Sequence, residues 1–216
     1  MDWLQPIDEY CERLDPSFWS EPLNALSNAS FIIAGIVLLL RARRLGDRTG
    51  LALALNVLAV GIGSFLFHTL AVRWAMLADV IPITVFILFY LAVAIRRFLR
   101  LSRWVTAGIV AVFLILNYLV VPVLEPLMGT TGGYVPALLA IIVVSFLSAS
   151  RSPFVAKSLI AAGLVFAISM SFRALDLPVC DADPYGTHMV WHILNGIVLY
   201  MLVSLALKVS AAPATR

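Results

Sequence analysis

A succession of long apolar runs constrains this chain more than any other feature. Stretches nearly free of charge lie at about 24–40, 50–70, 78–95, 104–124, 135–150, 158–175 and 188–207. About 20 apolar residues carry a helix across a hydrocarbon core, where every backbone group needs an internal partner. The expected fold is an all-α bundle of seven transmembrane helices. Composition agrees, with 62% hydrophobic and only 12% charged residues, against about a quarter charged in soluble domains. At 216 residues the bundle is a single domain over 1–216, with no length to spare for a soluble module. No phosphate-binding loop or nucleic-acid signature is present, so no nucleic-acid partner is expected.

Charge orients the bundle. Arg41, Arg43, Arg44 and Arg48 follow the first stretch, and Arg96, Arg97, Arg100 and Arg103 follow the third. Arg151 and Lys157 follow the fifth, while Lys208 and Arg216 follow the last. All of these fall on one side, leaving Arg13, Arg73 and Arg173 on the other. The positive-inside rule then predicts a cytoplasmic C-terminus and an N-terminus outside. The acids are sorted the opposite way, since only Asp47 lies on the basic side. Residues 1–22 form an acidic extracytoplasmic segment broken by Pro6, Pro16 and Pro22, with none of the pattern of a signal peptide.

The chain has three histidines, all in or beside apolar stretches. His188 and His192 stand four apart, so a helix projects both imidazoles from one face. His68 lies near the outer end of the second stretch, and the predicted topology puts all three at one depth. An ionisable residue inside a membrane is a functional-site hypothesis by default. Three imidazoles, two of them spaced H-x-x-x-H, match the ligand set of an open catalytic zinc site. Bis-histidine haem is the rival, and it leaves one histidine without a role.

Other polar residues gather at the same level. Ser64 precedes His68 by one helical turn, and Asp79 opens the third stretch. Asp79 can serve as a general base for a water or as a partner that orients an imidazole. Equally, it can be a solvated residue near a helix N-terminus. Ser64 can donate to a developing oxyanion or bond back to its own helix. Arg173 and Asp176 are candidates for a polar pair at the mouth of the site, or for a structural ion pair. The acids between Asp8 and Glu21 can enclose a calcium ion or form a solvated tail. Cys11 and Cys180 both fall on the outer side, where they can pair or remain two buried thiols.

Three blocks of sequence resemble the alkaline ceramidase family, part of a superfamily that includes the adiponectin and progestin receptors. They are YCERLDPSFWSEPLNALSN (Tyr10–Asn28), SFLFHTLAVRWAMLADVIP (Ser64–Pro82) and HMVWHI (His188–Ile193). The resemblance implies a membrane amidase that cleaves the N-acyl bond of a ceramide-like lipid. It implies zinc on His68, His188 and His192, with Ser64 and Asp79 supporting catalysis. It further implies a disulfide between Cys11 and Cys180 and a calcium ion among Asp8, Glu9, Tyr10, Glu12, Asp15 and Glu21. The chain is short for the family and is similar to its bacterial branch, which suggests a bacterial inner membrane with the site toward the extracytoplasmic side. A receptor keeping a structural zinc, or an amidase for another N-acylated lipid, is the alternative within the same resemblance.

Overall fold

A computed structural model describes residues 2–211 of the chain; Arg216, counted above among the basic residues, lies outside them. The described residues form eight α-helices and no β-strand beyond one isolated bridge between Pro6 and Val72. The helices are α1 (Pro22–Ser27), α2 (Ala29–Leu45), α3 (Arg48–Leu70), α4 (Arg73–Arg97), α5 (Arg103–Met128), α6 (Val135–Ser148), α7 (Pro153–Leu175) and α8 (His188–Ala211).

Local chemistry fixes most of the boundaries. The Asp47 carboxylate accepts from the Gly50 N–H to cap α3, while Ser102 and Ser152 cap α5 and α7 in the same way. Gly46, at φ 64°, closes α2 in the left-handed conformation that costs glycine least. Arg43 and Arg44 end α2 and Arg96 and Arg97 end α4, where the helix dipole favours cations. Two starts lie well before the expected ones, and the first expected stretch is split at Asn28 into α1 and α2. α4 begins at Arg73 rather than near 78, because the N-terminal segment pairs with the backbone there: Arg73 N–H donates to Gln5 O and Trp74 N–H to Trp3 O. Asp79 therefore sits well inside α4 and does not open it. α7 begins at Pro153, whose fixed φ suits a first helical position.

Six helical stretches, not the expected seven, are long and apolar enough to cross a membrane. The difference lies in Arg103–Ser148, where α5, a 3₁₀ turn over Gly129–Tyr134 and α6 form one apolar run. With 14 residues, α6 is about 21 Å long, too short to span a core of about 30 Å alone. The run nevertheless doubles back, since the Arg151 guanidinium after α6 donates to Leu99 O ahead of α5, so α6 returns the chain to the end from which α5 starts and α8 finishes at the end opposite the N-terminal segment. The fold is thus that of a multi-pass, all-helical membrane protein.

α8 and α3 are the most enclosed spans. They are apolar around their circumference, as central helices must be. α2, α4 and α7 pack around them, whereas α5 runs along the outside and buries only Thr106. The core between them is built from residues such as Leu38, Leu53, Leu159, Val203 and Leu207. At one end, Arg97 grips Asp47 with two nitrogens at 2.7 and 2.8 Å and Arg41 donates to Ser204. At the opposite end the N-terminal segment folds over the helix ends, and the histidines lie beneath it.

Candidate metal centre

The last turn of α3 carries His68, and the first two turns of α8 carry His188 and His192. All three are at most 2% exposed. Their ring centroids stand 4.5 to 5.2 Å apart. One ligand nitrogen from each falls within 4.8 Å of the others, close enough to share an ion. The depth predicted from topology has become a contact.

Each imidazole is held by a neighbour. His68 Nδ1 lies 2.6 Å from Glu21 Oε2, and His192 Nδ1 lies 3.1 Å from the Asn24 carbonyl and 2.8 Å from Ser27 Oγ. A ring nitrogen that donates to such acceptors leaves Nε2 as the free base, and this is how metal-binding histidines are oriented. His188 is fixed differently. Its ring lies 3.9 Å from the Tyr10 ring, and its backbone N–H donates to Asp176 Oδ1 at 2.9 Å. Asp176 also accepts from Thr187 N–H at 2.7 Å and Cys11 N–H at 3.2 Å, so it clamps the start of α8 to the N-terminal segment. Gly186, at φ 63°, makes that clamp possible, because a Cβ there would collide with both Asp176 and Cys11. Cys11 and Cys180 are joined, with Cα atoms 5.4 Å apart.

The donor set suits a metal. His68 Nε2 is buried with no hydrogen-bond partner, and so is Asp79 Oδ1. Orphaned buried polar atoms are costly and call for an explanation. Three histidine nitrogens converging on one point are a ligand set that catalytic zinc uses. Ser64 Oγ stands 3.4 Å from His192 Nε2, on the same side of the cluster as Asp79. Below them opens a cavity of about 390 Å³. Asp79, Ser64, His188 and His192 line its polar end, and its apolar end reaches Ala94 and Leu159.

The acids divide into two groups. Glu12 and Glu21 are buried, while Asp8, Glu9 and Asp15 are exposed. Both oxygens of Glu12 accept backbone N–H groups, from Leu23 at 2.7 Å and Asn24 at 2.8 Å. Burial pushes the Glu12 carboxyl above its ordinary range, against the opposing pull of those two donors. Asp15 turns to Ser17 N–H, and Glu21 is shared by Arg13, His68 and Asn24. Among the described residues these acids form no cluster able to hold an ion, and the residues present do not fit calcium. In the sequence, Arg13 counts only as one cation on the acidic side. Its position as a lone basic residue inside a run of acids is the signal that marks it.

Arg173 and Asp176 make no ion pair. The guanidinium turns instead toward Tyr10 Oη at 3.3 Å and Thr130 Oγ1 at 2.7 Å, over the rings of Tyr134 and Trp191. It faces the cavity with its Nε unpartnered.

Fold and site together define a multi-pass helical membrane protein with a buried three-histidine centre at the head of an apolar cavity. The family model described as Ceramidase matches residues 9–214, nearly the whole chain, and the protein belongs to the ceramidase family. Membership implies a hydrolase acting on the amide bond of a lipid. A comparison with curated proteins found no match.

Proposed function

We propose that the protein is a zinc-dependent intramembrane amidase that hydrolyses the N-acyl bond of ceramide-like lipids to a fatty acid and a sphingoid base. The observation carrying this reading is the convergence of His68, His188 and His192 beside Asp79 and Ser64, at the polar head of a cavity whose remainder is apolar. Such a cavity suits a substrate whose amide lies at headgroup level and whose acyl chain runs into the bundle. Zinc bound by the three imidazoles would polarise the amide carbonyl and acidify water.

The chain's own groups divide the remaining work. Asp79 takes the proton of the attacking water and returns it to the amine as the C–N bond breaks. Ser64 donates its hydroxyl to the oxyanion that forms on the carbonyl. Glu21 and the Asn24 carbonyl keep the His68 and His192 rings in place. Arg173 presents a cation to the mouth of the cavity, suited to polar groups of the lipid head. The sorting of basic residues supports an N-terminus outside and a C-terminus in the cytoplasm, with the centre toward the extracytoplasmic side, as in a bacterial inner membrane.

The test pairs zinc content with fatty-acid release from ceramide in detergent, on wild type and His192→Ala. One equivalent of zinc and measurable hydrolysis, both reduced in the variant, are expected. Zinc with no hydrolysis of any N-acyl lipid would move the reading to a receptor with a structural metal. Carefully prepared wild type without zinc would sink the mechanism.

A further inference from the structure

We propose that the Arg13 guanidinium is a permanent internal cation that replaces a bound divalent ion, tying the N-terminal segment to the histidine centre and positioning His68 through Glu21. Arg13 is 7% exposed and joins three parts of the chain. Its Nε donates to Glu21 Oε1 at 2.5 Å, its Nη1 to Asp15 O at 3.1 Å and its Nη2 to His68 O at 3.0 Å. One carboxylate and two carbonyl oxygens around a single positive charge are the kind of ligands a hard cation collects. A guanidinium supplies the charge with donors in a fixed plane, and it never loses its proton.

A calcium ion has no place left here. It needs six to eight oxygens at about 2.3–2.6 Å, and the two buried carboxylates are already committed. Glu12 is held by backbone N–H groups, and Glu21 is held by Arg13, Asn24 and His68. An added divalent ion would also meet the charge of Arg13.

The same contacts reach the ligand. Glu21 bridges Arg13 on one oxygen and His68 Nδ1 on the other, while Arg13 also grips the His68 carbonyl. Arg13 is thus a positioning residue: it fixes the carboxylate that fixes the ring, and it fixes the backbone that carries the ring. Removing it leaves a buried carboxylate uncompensated and free to move. This second role rests on the reading of the histidines as zinc ligands; the exclusion of calcium does not.

The experiment uses the purified full-length protein and two readouts besides activity. Calcium content is measured in wild type, with the melting temperature recorded in calcium and in magnesium chloride. No bound calcium and no calcium-specific rise in melting temperature are expected, and either one would overturn the replacement. Zinc affinity is then compared between wild type and Arg13→Gln by competition with a chromogenic chelator. A loss of about 10–100-fold is expected, the usual cost of removing a group that orients a ligand. Unchanged affinity in a folded variant would overturn the positioning role. Should Arg13→Gln fail to fold, Arg13→Lys is read the same way, since it keeps the charge and loses the planar set of donors that grips both Glu21 and the His68 carbonyl. Wild type without zinc would defeat the proposed amidase, whereas the calcium measurement would still decide whether Arg13 stands in for the ion.

Discussion

Gly63 of α3 lies directly against the carbonyl oxygen of Ala78 on α4, so close that a Cβ at Gly63 would overlap it. Pro82, four residues on, has no N–H to bond that carbonyl. The exposed oxygen and the bare glycine therefore meet, and the two helices approach at backbone distance. The next residue on each helix is Ser64 and Asp79, respectively. Their meeting at the head of the cavity depends on this seam.

Gly63→Ala is expected to push α3 and α4 apart. The cost of such overpacking is about 1–3 kcal/mol. Misplacement by about 1 Å can lower a rate by about 10²-fold. Fatty-acid release should fall by more than zinc content, because the three imidazoles lie on α3 and α8. An equal loss of both would show that the seam holds the metal ligands and not Asp79.

Asp79→Asn is expected to lower hydrolysis by about 10²–10⁴-fold, the usual range for losing a general base. Zinc content should be unchanged, because Asp79 is not among the three ligands. Full activity in the variant would remove Asp79 from the mechanism.

Under the proposed function, the deep end of the cavity would set the length of acyl chain that fits. Ala94, 2% exposed, lines it together with Leu159. Ala94→Phe is expected to shift preference toward shorter chains, by about fourfold for each methylene excluded, at about 0.8 kcal/mol per buried CH₂. Competition between short- and long-chain substrates measures this. An unaltered ratio would mean that the chain takes another route.

Asp47 and Arg97, at the end remote from the histidines, tie α3 to α4. Burial by itself pushes the Asp47 carboxyl up, but Arg97 and the Gly50 N–H more than offset it and hold the group below the usual carboxylate range. Such a group contributes stability above its unfolded pKa of about 3.9, and that contribution is lost as pH falls through the lower folded value. Asp47→Asn should cost about 2 kcal/mol near neutral pH. The gap to wild type should close in strongly acidic solution, as followed by thermal unfolding. A gap independent of pH would show that the pair is not the cause.

The sequence by itself determined that this chain is a multi-pass helical protein, because hydropathy is local: each apolar run must satisfy its own backbone inside a membrane. It also determined the family, whose match over residues 9–214 bears out the resemblance seen in three short blocks. The helical spacing of His188 and His192 was legible for the same local reason. The count of spanning helices was not, since a run of apolar residues does not reveal where Gly129–Tyr134 interrupts it and leaves α6 short. Nor was the fate of the charges. Arg173 and Asp176 are three apart in sequence yet point to different partners, and Arg13 reads as a stray cation until folding sets it between Glu21 and His68. Pairing between charges distant in the chain is decided by which segments meet, and that is settled only when the N-terminal segment packs against the ends of α3, α7 and α8.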